Sequence, residues 1–186
     1  MTKRIPQLAA AIFAASAHLA WAADLSPSVQ RGLYDDGRWS VGAVAFASGN
    51  RDCVLANTQR MSSGETAFVL SEFSGNSTIM FRDTTATWNS SNGSVTFQID
   101  DNPSFTGQAY AATGNLLIVP LRGTPSTTMG TIMNQLANGR LLLVGSGAEP
   151  PRMFALDGAQ PAFDAFSRCI AAMNTPAQPI PTPEVH

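Results

Sequence analysis

From Trp39 to Val119 the chain reads as short apolar runs, each closed by a cluster of Gly, Asn, Asp or Ser. Trp39 to Phe46 is rich in β-formers and follows the turn Asp35-Asp36-Gly37. Cys53 to Asn57 follows Ser48-Gly49-Asn50, Ala67 to Leu70 follows Ser62-Ser63-Gly64, and Thr78 to Phe81 follows Ser74-Gly75-Asn76. Thr85 to Trp88 and Val95 to Ile99 form an expected hairpin about Ser91-Asn92-Gly93, a sequence suited to a tight turn. Gly107 to Ala111 and Leu116 to Val119 complete the series. Short strands at this spacing, punctuated by turn residues, predict a meander that closes into an antiparallel sandwich or a partly open barrel.

The period changes in the last third. Met129, Ile132, Met133 and Leu136 fall at i, i+3, i+4 and i+7, one face of a helix that Ser126 or Thr127 would cap and Asn138-Gly139 would end. Leu141 to Val144 is an apolar strand, and Met153 to Leu156 is expected to pair nearby. A second helix is predicted from about Gln160 to Met173, with Phe163, Phe166, Ile170 and Met173 on its apolar stripe and Asp164 and Arg168 paired outside. The fold class is therefore mainly β (α+β), with two helices in the C-terminal third. From Asn174 onward the prolines and the missing apolar period predict a disordered tail, 174–186.

Upstream of this domain the pattern is of another kind. Lys3 and Arg4 precede an apolar run from Leu8 to Ala17, and Ala20-Trp21-Ala22 follows. Charge, short apolar run and A-x-A site are the order of a cleavable export leader over 1–22. The run is shorter than the roughly 20 residues that a membrane-spanning helix needs. The other reading is an N-terminal helix belonging to the fold, but no polar residues alternate through the run. Cleavage after Ala22 leaves a single domain, 23–173, in the periplasm or secreted. It keeps nine of the eleven basic residues, all arginine, against thirteen Asp and Glu. With no basic cluster, nucleic acid is not an expected partner.

Cys53 and Cys169 suit the oxidising compartment that a leader implies. Joined, they tie an early strand to the last helix. Two free thiols, or a link between two chains, are the alternatives.

The stretch Gly139-Arg140-Leu141-Leu142-Leu143-Val144, then Met153-Phe154-Ala155-Leu156-Asp157-Gly158-Ala159 and a closing helix that holds a Cys, resembles the invasion-associated locus B family. Those are small exported bacterial proteins with a β-sandwich-like fold. The order of Trp39 strand, Cys, meander, helix and closing helix is similar over most of the mature chain. Members often carry further cysteines near the first strand, where this chain has only Cys53. The resemblance implies a role in host-cell colonisation or envelope function, and it carries over no catalytic residue.

Side-chain inventory narrows the chemistry. After cleavage the one histidine is His186 and no lysine remains, so Ser-His, Cys-His and Ser-Lys pairs and the Walker A lysine have no place in the folded domain. No zinc set, other metal site or cofactor is implied. Asp35-Asp36-Gly37 and Asp100-Asp101-Asn102 could hold calcium or half of a glycosidase pair, although Asp and Asn in turns ordinarily bond their own backbone. Trp39 and Trp88 are expected in the core or across strands; an exposed Trp88 beside Asn89 would instead serve recognition, with Asn76 a further candidate contact. The favoured expectation is a non-enzymatic interaction protein whose partner is an envelope or host protein. The alternatives are an inhibitor or immunity-type protein using Ser71 to Ser94 as a protruding loop, and a carboxylate-based cell-wall or polysaccharide hydrolase.

Overall fold

The computed structural model describes residues 27–46, 50–73, 76–85, 87–88, 93–146 and 150–174. In chain order they form β1 (Pro27–Asp35), β2 (Trp39–Phe46), β3 (Arg51–Met61), β4 (Gly64–Phe73), β5 (Asn76–Asp83), β6 (Gly93–Ile99), β7 (Phe105–Thr113), β8 (Leu116–Pro120), α1 (Ser126–Asn138), β9 (Leu141–Ser146), β10 (Arg152–Ala155) and α2 (Ala159–Asn174). The leader 1–22, Asn89, the Ser91-Asn92 turn and the tail from residue 175 lie outside the described residues.

All strand pairs are antiparallel, in the order β1-β2-β3-β4-β5-β8-β7-β6-β9-β10. Strand β7 pairs with β8 on one side and β6 on the other, so it joins a wide sheet A (β1 to β5, β8, β7) to a narrower sheet B (β7, β6, β9, β10). This is the expected mostly β fold with two helices in the C-terminal part. Its two sheets fit a sandwich or partly open barrel, and no closed barrel forms.

Alternation along the strands selects the buried face. Trp39 and Val41 of β2, Leu55 of β3, Phe68 and Leu70 of β4, and Ile79 and Phe81 of β5 point into one core. Sheet B faces them, with the Phe154 ring of β10 tilted at 46° and its centroid 5.3 Å from that of Phe81. Sheet B is too narrow to cover β1 to β3, and α2 fills that space against all three strands. Trp39 sits between Phe68 and Phe163 and donates its indole N–H to the Asp157 carbonyl. Cys53 and Cys169 are bonded, with Cα atoms 6.0 Å apart, fixing α2 to the inner face of β3. Both cysteines are buried, Cys53 at 0 % and Cys169 at 5 % exposed.

Several local expectations are corrected. Thr85 to Trp88 is not a strand: the Trp88 amide bonds the Gly114 carbonyl, and β6 pairs with β7 and β9 instead. The described residues of Ser71 to Ser94 do not form one protruding loop, because Asn76–Asp83 is an inner strand of sheet A, between β4 and β8. Neither Ser126 nor Thr127 caps α1; Pro125 occupies the N-cap without a side-chain bond. Asp164 accepts from Gln160 at 3.0 Å. Strand β1, which carries little alternation, was not expected from the pattern at all.

Candidate functional site

Where β5 ends, Asp83 turns inward and is 6 % exposed. A buried carboxylate needs donors, and here they are local. The Thr85 amide and hydroxyl bond Oδ1 at 2.9 and 2.6 Å, and Arg152 Nη1 reaches Oδ2 at 3.3 Å. Arg152 comes from β10 of the opposite sheet, so this ion pair bridges the two layers. Its other nitrogen donates to the Thr87 carbonyl at 2.6 Å, and its guanidinium lies 3.8 Å from the centre of the Trp88 ring. The result is a pinned loop whose rim, Thr84, Thr85, Thr87, Gly114 and Asn115, lines an open polar depression. Gly64 borders it at φ +153°, where a Cβ would stand 2.6 Å from Thr84 Oγ1 and 2.7 Å from Thr85 Cγ2.

Trp88 is 3 % exposed and part of the core, so the exposed-recognition reading of this residue is corrected. The cause is Arg152, which roofs the ring while the loop backbone is tied to Gly114. The indole nitrogen is buried with no hydrogen-bond partner among the described residues. Asn76 opens β5 opposite Phe73 and is half-buried at a strand end rather than on a projecting tip. The candidate contacts Trp88 and Asn76 therefore do not form one exposed patch, and Asn89 lies outside the described residues.

The acidic loops do turn chemistry. Asp35 Oδ1 accepts from the Gly37 amide at 2.9 Å. Asp36 Oδ1 accepts from the Arg38 and Trp39 amides at 2.9 and 2.7 Å, and Tyr34 Oη donates to its Oδ2. Partial burial alone would raise the Asp36 pKa, but the Trp39 and Arg38 amides outweigh it and hold the carboxyl below its ordinary range. Asp100, the one described non-glycine residue with positive φ, accepts from the Arg140 and Leu141 amides at 2.9–3.2 Å. That bond explains the Gly139-Arg140 motif. A Cβ on Gly139 would meet Ile99 Cγ2 at 2.5 Å and the Gln135 carbonyl at 2.7 Å. Among the described residues, no three His, Cys, Asp or Glu side chains converge on one point.

One carboxylate differs in being buried and raised. Asp52 on β3 is 8 % exposed; burial pushes its carboxyl up to about 7, with Glu72 adding repulsion and the Ser71 hydroxyl, 3.0 Å from each carboxylate oxygen, opposing the rise. The pattern begins this strand only at Cys53, after the turn Ser48-Gly49-Asn50, and leaves Asp52 outside it, so its burial went unread. Glu72 pairs with Cys53 across β3 and β4, and thus projects on the inner side of sheet A, where the Ser77 hydroxyl donates to it. Asp52 projects on the other side. The two acids consequently cannot flank one substrate.

No family model, no curated protein and no solved structure matches this chain.

Proposed function

We propose that this chain is an exported bacterial protein that acts by binding another protein at the envelope or on a host, without catalysis of its own. The observation that carries this reading is the use of the loop carboxylates. Asp35, Asp36 and Asp100 each satisfy backbone amides, and the fold depends on them there. The resemblance of the Gly139–Val144 and Met153–Ala159 stretches to the invasion-associated locus B family, with its role in colonisation, supports the same reading. So does the disulfide, which suits an oxidising compartment.

Protein recovered outside the cytoplasm of a bacterial host should begin within a residue or two of Ala23. Recovery with Thr2 at the N-terminus would refute export through this leader. Immobilised mature protein should retain a specific envelope or host protein from extracts, and Asp101→Asn should leave that binding unchanged. A carboxylate hydrolase is the second reading, and buried Asp52 is the observation behind it. Turnover abolished by Asp52→Asn in a protein of unchanged fold would establish it.

A further inference from the structure

Arg38, in the turn between β1 and β2, belongs to a cluster with more hydrogen-bond donors than acceptors. Strand β10 ends the order of strands, and its Ala155 carbonyl is met by side chains of that turn and of β3. Arg38 Nη2 donates to it at 2.9 Å, Gln59 Nε2 at 2.9 Å and Asn57 Nδ2 at 3.3 Å. A backbone carbonyl has two lone pairs, so three donors exceed what it can hold. Arg38 Nε, on the same edge of the guanidinium as Nη2, is buried with no hydrogen-bond partner among the described residues. A buried donor left in that condition destabilises the fold, and an acceptor would relieve it.

Among the described residues no ion pair joins this guanidinium to an acid. Asp36, two residues away, is committed: its Oδ1 accepts from the Arg38 and Trp39 amides and its Oδ2 from Tyr34. The acceptor that fits the open edge is a carboxylate, with one oxygen on Nε and the other on Nη2. Its arrival would free Arg38 from Ala155, whose carbonyl keeps Gln59 and Asn57 as donors. Asn57 is sealed at 1 % exposed, whereas Arg38 and Gln59 are half-buried and can be reached from outside. Leu33, 38 % exposed, and Met153, 66 % exposed, lie on β1 and β10, the strands that lead into Arg38 and Ala155. An arginine with apolar side chains on the adjoining strands has the composition of a protein-binding hot spot.

We propose that the Arg38–Asn57–Gln59 cluster is a seat for a carboxylate, presented by an acidic side chain of a partner protein. On binding, Arg38 exchanges the Ala155 carbonyl for the two incoming oxygens. The seat follows from the excess of donors alone; that a protein supplies the carboxylate rests on the function proposed above.

The probe is acetyl-aspartate amide, titrated into the full chain, with the Gln59 and Asn57 side-chain amide resonances as the readout. Both resonances should shift saturably, and acetyl-asparagine amide should bind at least tenfold more weakly. That comparison needs no variant, so it holds even if Arg38→Gln does not fold. Arg38→Gln should abolish the saturable shift, and Arg38→Lys, which keeps the charge without the fork, should weaken binding at least tenfold. No shift, or the same shift with sodium chloride at equal ionic strength, would overturn the seat. Sodium acetate binding tenfold more tightly than acetyl-aspartate amide would overturn the protein source in favour of a free small carboxylate. Capture of an extract protein that Arg38→Gln leaves unchanged would overturn the role in partner binding, while the binding function stands. No capture at all, with the shift intact, would instead overturn that function and leave the seat to a small carboxylate.

Discussion

Asp52 is where a single side chain works against the fold. Its carboxyl titrates near 7 when folded and near 3.8 as an ordinary aspartate, because burial disfavours the charge. Below about pH 4 both states hold the proton. Between about 4 and 7 only the folded state holds it, so stability falls as pH rises through that window and levels off above it. At about 1.4 kcal/mol for each pH unit, the loss reaches roughly 4 kcal/mol. Asp52→Asn keeps the shape and a partner for Ser71 while removing the charge. Its urea midpoint should be flat across the window and exceed that of the unaltered protein at pH 8. Equal midpoints at pH 8 would show that Asp52 ionises freely. Arg152 is the opposite case, a charge the fold requires. It neutralises buried Asp83 and roofs Trp88. Arg152→Ala should lower stability by about 3 kcal/mol, as breaking a buried pair does. Arg152→Lys should recover part of that, since it keeps the charge but not the planar stack. A loss within about 0.5 kcal/mol in denaturant unfolding would place the pair among surface bridges of little consequence.

Between elements, the strongest single tie is the Cys53–Cys169 bond, 116 residues apart in sequence. A loop of that length is worth about 4–5 kcal/mol on the chain-entropy account, and measured bonds often give less. Cys53→Ser with Cys169→Ser should lower the denaturant midpoint accordingly, and non-reducing peptide mapping should recover the pair linked. Reaction of both thiols with a reagent in the native protein would remove this tie from the fold. The paired elements were legible to different degrees. Helix α1 was read from Met129, Ile132, Met133 and Leu136, where a 3.6-residue period is unmistakable. Strand β4 was read only at Ala67 to Leu70, yet it extends through Glu65, Thr66, Ser71 and Glu72, because backbone pairing continues where the side chains turn polar. Strand β1 was invisible, since Pro27, Gly32 and two irregular registers erase the alternation; its order comes from β2 and α2. The Thr85 to Trp88 error has a related cause. Its β-forming residues are claimed by Asp83, Arg152 and Gly114, partners that no local pattern reveals. The Asp83–Arg152–Trp88 cluster was unreadable for the same reason, its members being drawn from two sheets 69 residues apart.

For the molecule as a whole, the question is whether any described side chain can sustain catalysis. With no lysine or histidine among the described residues, proton transfer falls there to carboxylates, and these need burial or a close like charge to reach a useful pKa. Among the described carboxylates only Asp52 is raised to about 7, and Glu72, its like-charged neighbour, projects from the opposite side of the sheet. Asp36 is held low by the amides it accepts from, and Asp100 is engaged by Arg140 and Leu141. The purified mature protein is therefore expected to be inert towards peptidoglycan, polysaccharide, ester and peptide substrates. Asp100→Asn separates the two roles open to that residue. Losing a charged acceptor for the Arg140 and Leu141 amides should cost about 1–2 kcal/mol of stability and leave partner binding intact. Steady turnover by the unaltered protein that Asp100→Asn or Asp101→Asn abolishes, with the melting temperature still well above the assay temperature, would overturn the non-catalytic reading. A stability loss alone, with no turnover before or after the substitution, is the outcome the hydrogen bonds around Asp100 lead us to expect.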